Sequence, residues 1–290
     1  MEGRPGTAAE AEKKKKKKKK TTTTTEEEGQ ETDRPRRVFA RPPALLHHAG
    51  PVAKVAAGPW KIQSPFRIEI VGPSGSGKST LILKLIGDDS VYDRPFRRVN
   101  YCCPTLSDRR EYLEELEEAA LRGGKELLLT EGLPDKDRLL AQSRGEPALV
   151  VLDDLPMMEN LSGLDALVGM FSRHHDLSLV LAVQNHFLKK RAGADFAFIS
   201  RNLSGIFVLA NRADALQLSL LNARLCPERK GFLRRCLEDA VSRQGCPYLW
   251  LDLHPQARYE RRLMASTRIF ASERAAGGRS PVFYLLTPGP

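Results

Sequence analysis

The consecutive residues Gly72, Pro73, Ser74, Gly75, Ser76, Gly77, Lys78, Ser79 and Thr80 lie between an apolar run ending at Val71 and a leucine-rich stretch beginning at Leu81. Glycines at 72, 75 and 77 let the backbone fold tightly enough to turn several N–H groups toward one anion. The N–H groups that open a helix add partial positive charge in the same direction. Lys78 contributes a full charge, and the Ser79 hydroxyl contributes a ligand for a hard cation. The spacing is that of a GxxxxGK[ST] phosphate loop. Residues 72–80 are therefore predicted to bind ATP, with Lys78 reaching the β- and γ-phosphates and Ser79 ligating Mg²⁺.

A second constellation follows about seventy positions later. Ala148 to Leu152 is an unbroken apolar run that passes into Asp153 and Asp154. Two carboxylates at the end of a buried strand stand where open α/β sheets bind ligands. Asp153 is the expected magnesium-side residue and Asp154 the expected general base toward the attacking water. The bland alternative is an Asp-rich turn or helix cap. A further apolar run, Leu177 to Val183, ends in Gln184-Asn185-His186. Gln184, first past the run, is expected to sense the γ-phosphate or the water, whereas His186 reads as a surface or packing histidine. Phosphoryl transfer also calls for positive charge on the transferring group, often an arginine from a neighbouring subunit. Arg201 is the candidate, with Arg173, Arg191 and Arg212 as competitors.

The elements that must hold these groups follow from periodicity. Ile68–Val71, Arg98–Cys102, Leu127–Leu129, Ala148–Leu152, Leu177–Val183, Gly205–Leu209 and Tyr248–Leu253 read as strands. Ser79–Ile86, Glu111–Arg122, Lys136–Gln142, Leu161–Ser172, Ala194–Leu203, Ala213–Arg224 and Glu228–Arg243 read as helices. Leu113, Leu116 and Leu121 are expected to form the inward face of the second helix. Strands alternating with helices predict an α/β fold, a P-loop NTPase with a central, mostly parallel sheet flanked by helices on both faces.

Composition sets outer bounds. The chain has 290 residues, 41% of them apolar, with a formal charge of +10. Twelve Lys/Arg against eight Asp/Glu in residues 1–40 leave a balance of +6 for the rest, so the chain is basic without its tail. That balance permits a polyanionic partner such as nucleic acid. No window approaches the roughly 18 apolar residues of a membrane span, and no apolar signal core lies near the start, which predicts a cytoplasmic or nuclear setting without membrane contact. Residues 1–58, with lysines from 13 to 20 and threonines from 21 to 25, are expected to be a disordered low-complexity tail. The lysine run reads either as an import or nucleic-acid patch or as a solvated tail. Residues 59–275 are expected to form the ATPase domain and 276–290 a loose end. The cysteines show no CxxC pairing and are assigned neither disulfides nor zinc.

In this order the motifs resemble the genome-packaging ATPases of large DNA viruses, poxvirus-like ones included, and of polinton or adintovirus-like elements, within the FtsK/HerA group. The resemblance spans about Ile68 to Pro255. It is carried by GPSGSGKST at 72–80, TEGLPD at 130–135, VVLDDL at 150–155, SRHHDLSLVLAVQNHF at 172–187, SRNLSGIFVLANRAD at 200–214 and YLWLDLHPQ at 248–256. It implies an oligomeric, ring-shaped motor that drives double-stranded DNA into a capsid, with portal or capsid proteins as further partners. The implied setting is the host nucleus or cytoplasm, or the virion. By the same resemblance Lys78 and Ser79 are nucleotide ligands, Asp153 and Asp154 the acidic pair, Gln184 the sensor, and Arg201 the arginine heading its segment. Many relatives outside this branch carry Asp-Glu where this chain has Asp153-Asp154.

An ABC-type ATPase shares the loop but places LSGGQ just before the acidic strand, where residues 138–149 of this chain hold nothing of the kind. Another DNA translocase or helicase, and a nucleotide-binding DNA or assembly protein without turnover, remain as alternatives. Arg97, Arg98, Arg109, Arg110, Lys189, Lys190 and Arg191 are the basic candidates for phosphate contacts to DNA, with solvated surface charges as the competing reading.

Overall fold

An apolar run that shows no alternation belongs in the middle of a parallel sheet, where both faces are covered. Ala148–Leu152 is such a run, and each of its residues is buried. The computed structural model describes residues 54–56, 61–143, 145–188, 192–210, 215–242, 248–255, 257, 263–265 and 282–285. The expectations placed on residues 1–53, on Lys189 to Arg191, on Arg212 and on Cys246 lie outside them.

In chain order the strands and helices are β1 (Lys54–Ala56), β2 (Arg67–Val71), α1 (Lys78–Gly87), β3 (Arg98–Cys103), α2 (Arg110–Arg122), β4 (Glu126–Glu131), α3 (Lys136–Ser143) and β5 (Ala148–Leu152). They continue with α4 (Leu164–Ala166), a π-helical turn over Leu167–Phe171, α5 (Ser172–His174), β6 (Leu177–Val183), α6 (Phe196–Arg201) and β7 (Gly205–Leu209). The last are α7 (Ala215–Leu225), α8 (Phe232–Ser242), β8 (Tyr248–Asp252), β9 (Leu263–Ala265) and β10 (Val282–Tyr284). Among the described residues the ten strands join one sheet in the order β1-β10-β9-β8-β7-β2-β6-β5-β3-β4. From β7 to β4 every pairing is parallel. From β8 outward every pairing is antiparallel.

Each face of the sheet carries its own apolar layer. Leu81, Ile82, Leu85 and Ile86 of α1 join Leu116, Ala119 and Ala120 of α2 over Ile68, Ile70, Val99 and Val151. The other face packs Leu139 of α3, Leu164, Leu167, Ile199, Leu218, Leu221 and the apolar stripe of α8 against Val150, Leu179 and Ile206. Helices therefore flank a mostly parallel sheet on both faces, and the fold is that of a P-loop NTPase, as the alternation predicted.

Several expectations need correction. Leu121 does not face inward but is 79% exposed. The packed face of α2 is Leu116 with Ala119 and Ala120, at the 3 to 4 residue spacing of one helix face. Small residues there let α1 approach, a Cβ on Gly87 meeting Ala119 at 3.7 Å. The helix expected from Glu228 begins only at Phe232, because Gly231 takes a left-handed φ of +67° that interrupts it. Leu161–Ser172 is helical only from Leu164 and widens into the π turn, where the Phe198 ring lies so close that a Cβ on Gly169 would be 2.9 Å from it. The sheet also reaches past the expected domain limits, since β1 lies before residue 59 and β10 after residue 275.

Candidate functional site

Parallel strands put all their carboxyl ends on one edge, and the expected site residues follow three neighbouring strands. The phosphate loop leaves β2, Gln184 leaves β6 and Asp153 leaves β5, with β6 lying between the other two. Two strand spacings separate the loop from the aspartates, about 10 Å across the sheet. The Gly72 N–H donates to the Val183 carbonyl at 3.2 Å, which fixes the start of the loop beside Gln184.

The loop itself is built by its glycines. Gly75 and Gly77 have φ of +74° and +97°, which a residue with a Cβ adopts only under strain, and Gly77 is the residue from which α1 starts. A Cβ on Gly72 would meet the Ser76 Oγ at 2.6 Å and the Leu209 Cβ at 2.9 Å. Lys78 is buried and donates from Nζ to the carbonyls of Gly72 at 2.8 Å and Pro73 at 2.9 Å. Burial lowers its pKa, Asp154 and Asp153 oppose that shift, and Arg109 reinforces it. Lys78 and the acidic pair thus lie within electrostatic reach of one another. Ser79 and Thr80 are exposed at the mouth, and the Ser79 carbonyl accepts from the Tyr112 hydroxyl at 3.2 Å.

Asp153 is 2% exposed and engaged through both oxygens. Its Oδ2 accepts from the Tyr101 hydroxyl at 2.7 Å and from an Arg109 nitrogen at 2.6 Å. Its Oδ1 accepts from the Asp154 N–H at 2.9 Å. Asp154 has a left-handed φ of 47°, a conformation that Asp tolerates better than most residues with a Cβ. From there its Oδ2 accepts from the other terminal nitrogen of Arg109. Burial alone would lower the Arg109 pKa, but Tyr101 and the two aspartates outweigh it and raise it. The Tyr101 hydroxyl is pushed up by burial and then by the Asp153 charge.

Arg109 and Tyr101 are the functional residues that sequence reasoning missed. The sequence offers Arg109 as a basic candidate for DNA contact, whereas the structure turns it inward onto the acidic pair. It ends a short 3₁₀ turn, Ser107–Arg109, between β3 and α2. That turn is held by the Leu106 N–H donating to Glu131 Oε1 at 2.9 Å. Glu131 belongs to the TEGLPD stretch, which also walls an open groove of about 760 Å³ facing Met157 and Gly163. Arg98 is likewise engaged, by Glu126 at 2.9 Å and Glu146 at 3.5 Å, and Arg110 pairs with Glu114 at 3.5 Å.

Gln184 is exposed at the site edge. His186 is buried, and its Nδ1 pairs with Glu69 in the middle of β2. Its backbone N–H donates to Gln217 Oε1 at 2.5 Å, so the loop carrying Gln184 is tied to both β2 and α7. Arg201 is not brought to this site. It ends α6, exposed, beside Asn202, whose carbonyl accepts from Arg67 Nε at 2.7 Å at the opening residue of β2. That is the opposite edge of the sheet from Gly72.

Fold and site together define the class, a P-loop NTPase with an acidic pair on the strand one removed from the loop strand. The family model of the AAA domain matches residues 67–190, a span that contains the loop, both aspartates and Gln184. No curated protein matches the chain. Among solved structures, the chain is similar to the genome packaging NTPase of Sulfolobus turreted icosahedral virus 2 in complex with ATP-gammaS, with 14% identity over 66% of this chain and 94% of that one, TM-score 0.38. It is similar also to the flagellar accessory protein FlaH from Methanocaldococcus jannaschii, with 14% identity over 51% of this chain and 72% of that one, TM-score 0.35. A KaiC-like protein from Pyrococcus horikoshii OT3 shows 15% identity over 53% of this chain and 76% of that one, TM-score 0.35.

Proposed function

We propose that the chain is a magnesium-dependent ATPase whose hydrolysis drives double-stranded DNA, as a genome-packaging motor does. The observation that carries the ATPase reading is that the loop bearing Lys78 and the pair Asp153 and Asp154 leave parallel strands at one sheet edge, with a single strand between them.

The residues present fit a metal-bound triphosphate. The loop is a cradle that a Cβ at Gly72 would fill, and the Ser76 Oγ is buried in it without a hydrogen-bond partner. The acidic pair already holds a cation, the Arg109 guanidinium, which shows that its two carboxylates favour positive charge between them. Ser79 and Asp153 would hold Mg²⁺, which when bound supplies positive charge to the phosphate oxygens. Lys78 would exchange its two carbonyl partners for phosphate oxygens. Asp154, once free of Arg109, would accept a proton from the attacking water, and Gln184 would orient that water from the neighbouring strand. Arg201, exposed on the far edge, would act only in the site of a neighbouring copy, as a ring of copies would allow.

The DNA and the capsid rest on the basic balance of the chain and on the resemblance of its motifs. No helix among the described residues is long and apolar enough to cross a membrane, which accords with work in the nucleus, the cytoplasm or the virion. The test is ATP hydrolysis by the purified chain with and without duplex DNA. The unmodified chain is expected to turn over and to be stimulated by DNA, and Lys78→Ala to lose phosphate binding and turnover. Turnover that DNA leaves unchanged sinks the motor, and no turnover in either chain favours a nucleotide-binding assembly protein.

A further inference from the structure

We propose that Arg109 is an internal counter-ion that closes the acidic pair and must leave before a metal-bound nucleotide can engage it. This rests on the nucleotide reading above and adds to it a competition between one named side chain and the metal.

The geometry leaves Asp153 with little to offer a second cation. Its Oδ2 already accepts two hydrogen bonds, from Tyr101 at 2.7 Å and Arg109 at 2.6 Å, and its Oδ1 accepts from the Asp154 backbone. The same guanidinium spans to Asp154 Oδ2 through its other terminal nitrogen. The guanidinium thus bridges two carboxylates through its two terminal nitrogens, each contact a charge-assisted hydrogen bond stronger than a neutral one. A divalent cation and the guanidinium would seek the same oxygens, and their like charges oppose joint occupancy.

Arg109 is also placed to move. Its side chain is 23% exposed, and its turn is a surface connection that ends where α2 begins. Swinging out breaks contacts to Tyr101 and the aspartates but pulls no side chain of the Ser107–Arg109 turn out of the apolar layer, since none of the three is buried. Tyr101 stays behind, buried on β3, to hold Asp153 in place. The departure of Arg109 also releases the Asp154 carboxylate from its ion pair, so one displacement would open both members of the acidic pair.

The experiment measures the Mg²⁺ concentration needed for binding of a fluorescent, non-hydrolysable ATP analogue by the full chain, beside an arm without metal in EDTA. Arg109→Gln is expected to lower the Mg²⁺ midpoint by about tenfold, the scale of one charged hydrogen-bond contact, with no gain in EDTA. Arg109→Lys, which keeps the charge but loses the fork, is expected between it and the unmodified chain. An unchanged midpoint overturns the proposal, and so does weaker binding with and without metal alike, which would make Arg109 a phosphate ligand. Should the variants fail to fold, arginine-directed modification of the unmodified chain decides, read at Arg109 by mass spectrometry. Reactivity is expected to rise when Mg²⁺ and the analogue are added together, and unchanged protection overturns the proposal. If the unmodified chain binds the analogue through Lys78 and only the Arg109 results fail, the nucleotide reading stands without this inference. If it binds no analogue at all, both fall.

Discussion

Two acid–base clusters flank the phosphate loop, and they differ in what surrounds them. At the end of β5, Arg109 and Asp154 are 23% and 27% exposed and share their contacts with Asp153 and Tyr101. Farther in, His186 after β6 and Glu69 in the middle of β2 are 1% and 5% exposed and pair with each other. The first cluster has partners to exchange and a route to solvent. The second has neither. A contact at a sheet edge suits an exchange of ligands, and a sealed contact suits fixing the loop that carries Gln184.

The largest test of that contrast is Asp154→Asn. Turnover is expected to fall by about a hundredfold or more, the scale of a lost general base, while analogue binding at saturating Mg²⁺ and the unfolding midpoint move little. Equal turnover in the variant and the unmodified chain would remove Asp154 from the chemistry. For the sealed cluster the order of effects reverses. His186→Leu leaves Glu69 buried without its partner and is expected to cost about 3 kcal/mol in chemical denaturation. A loss below about 1 kcal/mol would show that water or a rearranged Gln217 replaces the histidine.

A smaller effect concerns pH. Tyr101 has its pKa raised by burial and by Asp153, so the folded chain keeps a proton that the unfolded chain releases above its ordinary value of 10.0. Its contribution to stability is full below that pH and is lost as pH rises further, at about 1.4 kcal/mol per unit. Tyr101→Phe should make the alkaline decline in unfolding free energy shallower by about that slope, and an identical decline would show that Tyr101 titrates normally. The smallest effect belongs to a contact open to water. Arg98→Ala breaks ion pairs to Glu126 and Glu146, whose side chains are 54% and 48% exposed, and should cost less than about 1 kcal/mol in the same denaturation assay.

What could be read from the sequence was what is contiguous in it. The phosphate loop, the apolar run into Asp153 and the run into Gln184 each declare themselves within a few residues, so the parallel core and its active edge were legible. Arg109 was not, because its partners lie 44 and 45 positions away and nothing in its local pattern separates an inward guanidinium from a solvated one. Glu69 gave a clearer signal, a carboxylate inside a run otherwise fit for a buried strand, which demands a buried partner. His186 is that partner, although the sequence alone favoured surface or packing roles for it. Leu121 misled because apolar character outweighed helical phase, and β1, β9 and β10 escaped notice as three-residue strands at the antiparallel end.

The hydrogen bonds from Lys78 to the carbonyls of Gly72 and Pro73 bear on how tightly small anions can be held. A loop whose curvature is held by its own ammonium group costs an arriving anion little in ordering, and the anion must instead displace two carbonyl oxygens. A lone orthophosphate brings few oxygens to that contest. A polyphosphate that also touches the far strands brings more, and selectivity for chain length then begins at a single amine.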